Sequence, residues 1–470
     1  MESLMISISG VRGIVGGGFT PEVVSRFAAA FGTFVGGGAV VIGRDSRPSG
    51  QCIHLAAVSG LLSAGCDALD CGICPTPTVQ VLAQGRAGGL AVTASHNPLE
   101  WNGLKFVGPD GLFLDERQMG ALSTMYEKRA IDYVRWDKVG GVTSLGDASL
   151  GDASLGDALD RHIETILQLG CIHPDAIGRT GFTVAIDCCN GAVSEVGPRL
   201  LRRLGCEVVE LYCQPTGLFP HDPEPIPANL GDLCSAVAAG HADVGFAADP
   251  DGDRLSVVSD KGEALGEEYT LALATKFVLS KVKGPVVVNL STSKMIDDIA
   301  REAGVPVLRT PVGEVNVAKR MREVGSVVGG EGNGGVILPE AHYGRDALVG
   351  MALLLQALTE SGAPISELAR ALPKYHIVKR TCELNGVDPV ALMGVVADHY
   401  AQQSPDLTDG VKIAWPDRWV HIRRSNTEPT VRVIAEAPGE QEATDLCDET
   451  LRTIEKLMAG PVCEKTRRRP

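Results

Sequence analysis

The stretch Leu90-Ala91-Val92-Thr93-Ala94-Ser95-His96-Asn97-Pro98 joins an apolar run to a polar turn. Because the Asn-Pro pair continues neither a strand nor a helix, the turn ends a strand and displays Ser95 at the edge of a sheet. Doubly wound α/β folds carry their reactive groups at this edge. The stretch therefore predicts an α/β domain with Ser95 as a candidate reactive residue, although an ordinary solvent-exposed turn explains these residues equally well.

Length, charge and cysteine content limit the classes of protein to consider. At 470 residues the chain is too long for one hydrophobic core and predicts three or four domains. A net charge of −15 argues against nucleic acid or a membrane surface as the main partner, so an anionic small substrate needs a local basic pocket. Thirteen irregularly spaced cysteines, with no signal-peptide pattern and no membrane-spanning apolar segment, predict a soluble, cytoplasmic protein with reduced thiols.

Residues 1–143 predict a first α/β domain, because strand-like and helix-like segments alternate there. The predicted strands are Leu4–Ser9, Ala39–Ile42 and Gly89–Thr93, and the predicted helices begin at Thr20-Pro21 and cover Cys52–Ala64. Two strands lead into basic, glycine-containing turns, Ser9-Gly10-Val11-Arg12-Gly13 and Gly43-Arg44-Asp45-Ser46-Arg47. The first turn either offers backbone N–H groups and the Arg12 guanidinium to a phosphate, or simply reverses the chain with Arg12 in solvent.

The pentapeptide Ser-Leu-Gly-Asp-Ala occurs three times in succession from Ser144 to Ala158. Each copy is too short and too rich in glycine to bury a face, so the repeat predicts a surface linker at residues 144–158 rather than a solenoid. A second α/β domain is predicted at residues 159–255, with strands near Thr183–Asp187, Glu207–Leu211 and Val244–Ala247.

The second domain ends in Asp249-Pro250-Asp251-Gly252-Asp253-Arg254, which places three carboxylates at alternate positions after an apolar strand. If the backbone stays extended, the three side chains point the same way and offer oxygen ligands to one hard divalent cation, which we expect to be Mg²⁺. An EF-hand calcium loop fits poorly, because its glycine position is Arg254 here and its final glutamate position is Asp260. A solvated acidic turn is the remaining alternative.

Two further blocks complete the chain. Residues 256–370 predict a third α/β domain, with a strand at Pro285–Leu290 and helices at Ser293–Ala303 and Ala347–Leu358. Residues 371–470 predict a smaller domain with helices near Pro389–Gln402 and Gln441–Leu457 and strands at Val411–Trp415, Trp419–Arg423 and Val431–Ala435. The polar side chains between the last two strands form either a phosphate-binding loop or a plain hairpin loop; they are Arg423, Ser425, Asn426 and Thr427.

Motifs along the whole chain carry a resemblance to a known family. They are Ser9–Gly13, Thr93–Pro98 continuing to Trp101-Asn102-Gly103-Leu104-Lys105, Asp249–Arg254, Gly329–Gly335 and Arg423–Pro429. In this order they resemble the α-D-phosphohexomutases, which include phosphoglucomutases, phosphomannomutases and phosphoglucosamine mutases. The resemblance implies an α/β fold class: three related mixed α/β, three-layer domains and a smaller C-terminal α+β domain around a central cleft.

The same resemblance implies phosphoryl transfer. A phosphoserine at Ser95 hands its phosphoryl group to one hydroxyl of a bound hexose monophosphate, and the other phosphate of the resulting bisphosphate then returns to Ser95. Mg²⁺ is held by Ser95 and by Asp249, Asp251 and Asp253. Hexose 1,6-bisphosphate is the expected activator, a phosphorylated hexose is the expected partner, and we expect a monomer or a homodimer.

Further residues receive roles from the resemblance. Lys105 is implied to be a general acid/base, although a lysine serves as a base only when its pKa is depressed. Arg12 and His96 are implied to orient or stabilise the transferring group, and for His96 a purely structural hydrogen bond within its turn remains open. The residues expected to bind the substrate are Arg254, Glu331, Asn333, Arg423, Ser425, Asn426 and Thr427.

The identity of the sugar is the least determined feature. The loop Gly329–Gly335 reads Gly-Gly-Glu-Gly-Asn-Gly-Gly and lacks the Ser-Gly-His ending of many related loops. With His342-Tyr343-Gly344-Arg345-Asp346 it resembles members described as phosphoglucosamine or phosphomannose mutases. We expect a phosphoglucosamine mutase, with phosphomannomutase/phosphoglucomutase activity as the alternative. A non-catalytic sugar-phosphate binding protein has no need of this transfer chemistry, and a phosphatase needs water that a closed cleft excludes.

Overall fold

The computed structural model describes residues 4–145, 157–240, 242–384, 386–424 and 430–460. Within these residues four β-sheets follow one another along the chain, one of seven strands and three of four strands. The first three sheets contain parallel strand pairs and are accompanied by helices, whereas the fourth is wholly antiparallel. The predicted fold class is confirmed: three α/β domains are followed by a smaller α+β domain.

The first sheet contains the strand that leads to Ser95. Its elements are β1 (Met5–Ser7), β2 (Gly10–Ile14), α1 (Pro21–Val35), β3 (Gly38–Arg44), α2 (Gly50–Ser63), β4 (Cys66–Ile73), α3 (Thr76–Ala83), β5 (Gly88–Val92), β6 (Trp101–Val107), α4 (Glu116–Lys128) and β7 (Val142–Ser144). The strand order is β1-β2-β6-β5-β3-β4-β7, with β5, β3, β4 and β7 parallel. Ser95 therefore lies at the carboxyl edge of the parallel strands, as predicted.

Helix α1 shows how local sequence sets the bounds of an element. The Thr20 hydroxyl accepts a hydrogen bond from the Val23 N–H at 3.4 Å, and Pro21 occupies the first turn, where its missing N–H costs nothing. Gly36 ends the helix with a φ of 77°, which glycine adopts without steric penalty. The predicted start at Thr20-Pro21 is confirmed.

The predicted turn at Ser9–Gly13 is right only at its start, because the chain turns at Ile8-Ser9 between β1 and β2. Gly10–Ile14 is strand β2, which pairs with β1 on one side and β6 on the other. Gly10 has a φ of 103°, and a Cβ at this position would lie 2.1 Å from the Leu104 carbonyl oxygen. The close approach of β6 therefore requires a glycine at position 10. Glycine has a low strand propensity, so the sequence did not predict a strand that pairing within the sheet stabilises. Ser9 and Arg12 of this segment line the cavity described below and remain as candidate phosphate contacts.

The second sheet carries the segment Asp249–Arg254, which we call the acidic loop. Its elements are α5 (Ala158–Leu167), α6 (Pro174–Thr180), β8 (Thr183–Asp187), α7 (Val193–Arg203), β9 (Glu207–Leu211), α8 (Gly231–Gly240), β10 (Val244–Ala248) and β11 (Leu255–Val258), with the strand order β11-β10-β8-β9. Because β11 pairs with β10, we propose that the second domain ends after residue 258 rather than at 255. Of the predicted linker at 144–158, residues 146–156 lie outside the described residues.

The third and fourth sheets complete the fold. The third has the elements α9 (Glu267–Lys281), β12 (Val286–Asn289), α10 (Met295–Ala303), β13 (Val307–Thr310), α11 (Glu314–Val324), β14 (Val328–Glu331), β15 (Gly335–Ile337), α12 (Ala347–Ser361) and α13 (Ile365–Arg370). The fourth has β16 (His376–Glu383), α14 (Pro389–His399), β17 (Val411–Ala414), β18 (Trp419–Arg424), β19 (Thr430–Ala437) and α15 (Glu440–Met458). Their strand orders are β13-β12-β14-β15 and β16-β19-β18-β17.

The apolar cores explain how the domains are joined. One continuous core runs through the first three sheets and includes Val41, Phe246 and Leu353, whereas the fourth domain has its own core around Val420 and Val433. The fourth domain meets the third through polar contacts as well. These join Lys412 to the Leu290 carbonyl, the Val312 N–H to Asp409 and the Lys294 N–H to Glu436. No helix among the described residues combines the length and apolarity of a membrane span.

Candidate active site

Segments from all four domains line one cavity of about 590 Å³. This volume lies within the range of small-ligand sites. The predicted residues on its wall are Arg12, Ser95, His96, Lys105, Arg254, Glu331, Asn333 and Arg423. Three other predicted residues, Ser425, Asn426 and Thr427, lie outside the described residues.

Ser95 lies in the loop that leaves β5 and is almost completely buried. Its φ of 52° puts a residue with a Cβ in the left-handed region, which costs about 1–2 kcal/mol. The Ser95 Oγ donates a hydrogen bond to Asp249 Oδ2 at 3.1 Å and lies 3.2 Å from His96 Nδ1. Backbone strain of this kind clusters at functional sites, so the geometry supports a functional role for Ser95.

The three aspartates converge, but not on an extended backbone as predicted. Residues 249–254 form a turn between β10 and β11, in which Gly252 has a φ of 70° and its N–H donates to the Asp249 carbonyl at 3.0 Å. The glycine allows the chain to fold back where the alternate spacing predicted a straight segment. One carboxylate oxygen from each of Asp249, Asp251 and Asp253 nevertheless lies within 4.8 Å of the others.

The chemistry of this loop fits a hard divalent cation. All three aspartates are buried, and the Oδ1 atoms of Asp251 and Asp253 have no hydrogen-bond partner among the described residues. Burial, followed by repulsion from Asp253 and Asp251, raises the pKa of Asp249 well above its usual value. Unpartnered buried carboxylate oxygens are costly unless a cation meets them, and oxygen ligands are those that Mg²⁺ prefers.

Lys105 on β6 faces the same carboxylates. Its Nζ lies 2.7 Å from Asp251 Oδ2 and 3.3 Å from Asp253 Oδ2. Burial alone would lower the pKa of Lys105, but the charges of Asp251 and Asp253 outweigh burial and raise it. Lys105 is therefore an ammonium at neutral pH, and the depressed pKa that a resting base needs is not present.

His96 and Arg12 flank Ser95 with different charges. The positive charge of Arg254, followed by burial, lowers the pKa of His96 well below its usual value, so this imidazole is neutral at pH 7. Arg12 donates from Nη1 to Asn97 Oδ1 at 3.1 Å. This hydrogen bond connects β2 with residues 93–100 between β5 and β6, which we call the serine loop. Both side chains reach the cavity, so His96 faces the site as well as contacting Ser95.

Comparison with known proteins identifies the family. Models of phosphoglucomutase/phosphomannomutase match four consecutive segments: alpha/beta/alpha domain I at residues 5–131, domain II at 160–262, domain III at 266–375 and the C-terminal domain at 387–453. A probable phosphoglucosamine mutase of Methanopyrus kandleri is 38% identical over 457 residues, which cover 96% of this chain and 97% of the relative. The chain belongs to this family.

Two further members extend the comparison. A phosphoglucomutase/phosphomannomutase of Thermococcus kodakarensis is 36% identical over 462 residues, which cover 96% of this chain and 98% of the relative. The crystal structure of a family protein from Burkholderia thailandensis matches with a TM-score of 0.83 and 29% identity, and covers 97% of this chain and 99% of that one. The chain is therefore an enzyme, a phosphohexomutase of the isomerase class. A magnesium site is typical of this family, in agreement with the aspartate loop.

Hydrogen bonds hold the loop Gly329–Gly335 in place; we call it the sugar loop after the role that the family resemblance implies. The Glu331 Oε1 accepts from Asn289 Nδ2 at 2.8 Å and from the Gly313 N–H at 2.9 Å, while Oε2 accepts from Arg345 Nη1 at 2.9 Å. Asn333 Oδ1 also accepts from Arg345, at 3.3 Å. Oε1 thus accepts two hydrogen bonds and is saturated, whereas Oε2 accepts one and retains a lone pair to which a hydroxyl group can donate.

Arg345 is a site residue that sequence analysis did not single out. Its guanidinium contacts Asp253 at 2.5 Å, Glu314 at 2.9 Å and Glu331 at 2.9 Å, and so links the acidic loop to the sugar loop. In the sequence, Arg345 stands out only as one residue of the segment His342-Tyr343-Gly344-Arg345-Asp346. Its ion pairs span up to 92 residues of sequence, a separation that only the fold brings together.

The fourth domain contributes a basic wall. Arg423 lies on β18 with its Nε 3.9 Å from Asp409 Oδ2, and Arg432 lies directly opposite it on β19. Both line the cavity, together with Lys379 and Arg380 of β16. Like charges at opposing strand positions repel unless negative charge lies near them, so this wall of the cavity suits an anionic ligand.

Proposed function

We propose that this phosphohexomutase interconverts hexose 6-phosphate and hexose 1-phosphate through a phosphoserine at Ser95 and a bisphosphate intermediate, with glucosamine phosphate as its substrate. The observation that carries the proposal is the hydrogen bond from Ser95 to Asp249, in a loop where two carboxylate oxygens have no hydrogen-bond partner among the described residues. A serine takes part in phosphoryl transfer either as a hydroxyl with a base beside it or as an already phosphorylated donor; we propose that phosphorylated Ser95 is the donor to the sugar and that His96, 3.2 Å away, accepts the proton when Ser95 takes the phosphate back. The acidic loop favours the phosphorylated form, because a cation held there also neutralises a serine phosphate.

Each half of the reaction moves one phosphoryl group. In the first half, the phosphorus–oxygen bond at Ser95 breaks, a bond to a sugar hydroxyl oxygen forms, and the proton of that hydroxyl ends on the serine oxygen. In the second half, the other phosphate returns to Ser95 and the serine proton ends on the freed sugar oxygen. The bisphosphate reorients in the cavity between the halves, and free hexose 1,6-bisphosphate acts as an activator by phosphorylating Ser95.

Lys105 and His96 are suited to handle the two protons. Lys105 acts as the general acid at the freed sugar oxygen, and its ion pairs with Asp251 and Asp253 must loosen before it serves as the base in the other half. Neutral His96 lies 3.2 Å from the Ser95 Oγ and can exchange the serine proton. Arg12 stabilises the transferring group with its guanidinium.

Mg²⁺ would be held by Asp249, Asp251, Asp253 and a phosphate oxygen on Ser95, and it supplies positive charge to the transferring phosphoryl group. Three carboxylates and a phosphoserine carry about five negative charges, so one divalent ion leaves about three uncompensated. The remaining positive charge comes from side chains that line or face the cavity: Arg12, Lys105 and Arg254.

The substrate is gripped at its sugar and at its distant phosphate. Glu331 and Asn333 accept hydrogen bonds from ring hydroxyls, and Arg254 adds a cation beside them. Arg423 holds the phosphate that is not reacting. Ser425, Asn426 and Thr427, which follow it in the sequence, are proposed as further contacts of this phosphate. The probable phosphoglucosamine mutases among the relatives support an amino sugar, and the free cysteines described support the cytoplasm. A monomer or homodimer remains part of this proposal.

The test is an assay of the purified protein with Mg²⁺ and hexose 1,6-bisphosphate against glucosamine 6-phosphate, mannose 1-phosphate and glucose 1-phosphate. The proposal predicts the highest kcat/KM for glucosamine 6-phosphate, with little release of inorganic phosphate. A higher value for mannose or glucose phosphate would move the assignment to phosphomannomutase/phosphoglucomutase. If none of the three sugar phosphates is isomerised, the proposed substrates are contradicted.

Arg423→Lys is expected to raise the KM for the hexose phosphate about 10- to 100-fold and to change kcat less, because lysine cannot form the paired hydrogen bonds of a guanidinium. Steady-state kinetics measures both constants. The matched control is Arg424→Lys, since Arg424 is the exposed neighbour and does not line the cavity. Equal effects of the two substitutions would remove Arg423 from the phosphate site.

A further inference from the structure

Arg47 is completely buried beneath the serine loop and uses all five of its N–H groups there. Nε donates to Asp45 Oδ2 at 3.1 Å. The other four donors reach backbone carbonyls. Three belong to the serine loop, those of Ser95, Asn97 and Pro98, each at 2.6 Å, and the fourth is that of Trp101, the first residue of β6, at 3.1 Å. A guanidinium has five N–H groups, so no donor is left over.

Asp45 extends this network to the other side of Ser95. Its Oδ2 accepts from the Thr93 hydroxyl at 2.7 Å, and its Oδ1 accepts from the Arg47 N–H at 3.0 Å. The Thr93 Oγ1 in turn accepts from the Ser95 N–H at 2.9 Å. The backbone N–H and the carbonyl of Ser95 are therefore both bound to one buried group of side chains, which we call the Arg47 hub: Asp45, Arg47 and Thr93.

The Arg47 hub explains how Ser95 keeps an unfavourable backbone conformation. A φ of 52° persists at a residue with a Cβ only when the surrounding structure fixes it. The hub holds both peptide groups of Ser95, and its side chains do not line the cavity. The hub thus acts on the direction of the Ser95 Oγ, which meets Asp249 Oδ2 at 3.1 Å.

We propose that Arg47 is a positioning residue that fixes Ser95 in its left-handed conformation and so aims the Ser95 oxygen at the acidic loop for phosphoryl transfer. This inference rests on the proposed role of Ser95. Arg47 does not touch the substrate, so it acts on the transfer step rather than on substrate binding. Transfer depends steeply on alignment, because a shift of about 1 Å can cost on the order of 10²-fold in rate.

A matched control exists in the third domain. Arg309 also donates to a run of backbone carbonyls, those of Asn289, Thr292 and Ser293, at 3.0, 2.8 and 3.3 Å. Its side chain is 18% exposed and that of Arg47 is fully buried, so the loss of Arg309 should disturb local packing in the same way but less strongly. Arg309 does not contact the serine loop, so it separates a general loss of stability from a loss of Ser95 alignment.

The experiment begins with the wild-type protein, Mg²⁺ and a labelled hexose 1,6-bisphosphate. Mass spectrometry locates the phosphate, and its absence from Ser95 would contradict the proposed function itself. With wild-type labelling established, Arg47→Lys is expected to slow both kcat and Ser95 phosphorylation on the order of 10²-fold, with the KM changed less than about twofold. Arg309→Lys should lower the Tm, and it can raise the KM because the Asn289 that it holds also donates to Glu331. The rate of Ser95 phosphorylation at saturating bisphosphate should stay within about twofold of wild type.

The inference about Arg47 is overturned if Arg47→Lys phosphorylates Ser95 at the wild-type rate, or if both arginine variants slow the step equally. Either result leaves the proposed function intact. Thr93→Val provides a second test that preserves side-chain shape and removes the hydroxyl between Asp45 and the Ser95 N–H. A folded Thr93→Val protein should show the same selective loss in kcat, and a wild-type rate would likewise overturn the inference.

Discussion

Replacing Ser95 with alanine is expected to lower turnover by more than about 10⁴-fold, because the group that carries the phosphate is then absent. The Ser95 Oγ makes one hydrogen bond to Asp249 and one contact with His96, so its removal leaves the hub beneath the loop unchanged. We expect the variant to keep the wild-type Tm within a few degrees, by circular dichroism, and to bind hexose 1,6-bisphosphate without exchanging its phosphate.

Ser63→Ala is the control for Ser95→Ala. Ser63 belongs to the same domain, donates to the Gly60 carbonyl within α2 and does not line the cavity. It should retain wild-type kcat and KM. Substantial turnover by Ser95→Ala, in a preparation free of wild-type enzyme, would show that another group carries the phosphate.

Asp249→Asn is expected to lower kcat about 10³-fold at ordinary Mg²⁺ concentration, because it removes both a ligand charge and the acceptor of the Ser95 hydrogen bond. The substitution should also raise the Mg²⁺ concentration for half-maximal activity, since ligand charge sets cation affinity. Titration of activity with Mg²⁺, after removal of metal with EDTA, measures both effects.

Asp260→Asn is the matched control for the acidic loop. Asp260 follows the same hairpin but pairs with Lys261 and accepts from the Ser366 N–H, away from the cavity. Its substitution should leave the Mg²⁺ dependence unchanged. If Asp249→Asn kept the wild-type Mg²⁺ dependence, the metal would have to bind elsewhere.

Sequence patterns predicted the order of the motifs and the α/β character of the domains because both are local. The apolar runs before Ser95 and Asp249 are strands β5 and β10. Each strand ends where the apolar run gives way to polar turn residues, after Val92 and after Ala248. The alternation of carboxylates also predicted that the three aspartates meet. The predicted path was wrong, because Gly252 turns the backbone at a φ that alternation does not reveal.

The supporting residues could not be predicted, because their partners are distant in sequence. Arg47 reaches carbonyls about fifty positions away, and Arg345 reaches Asp253 at a separation of 92 residues. The strand that begins at Gly10 was missed for another reason. Glycine favours turns when only neighbouring residues are considered, whereas here the pairing of β2 with β6 makes Gly10 part of a strand. The sequence shows that the Arg44-Asp45-Ser46-Arg47 turn is basic, but the role of Arg47 could be inferred only from its burial, which the sequence does not reveal.

The central claim is that Ser95 carries the phosphate in every turnover, and rapid-quench measurement of phosphorylated Ser95 tests it most directly. Enzyme phosphorylated with hexose 1,6-bisphosphate is mixed with excess hexose monophosphate, and the Ser95 peptide is quantified by mass spectrometry over time. We predict that the phosphate leaves Ser95 and returns at rates no slower than kcat, as bisphosphate forms and product appears. Product formation while the original phosphate stays on Ser95, or phosphate exchange slower than kcat, would contradict the account.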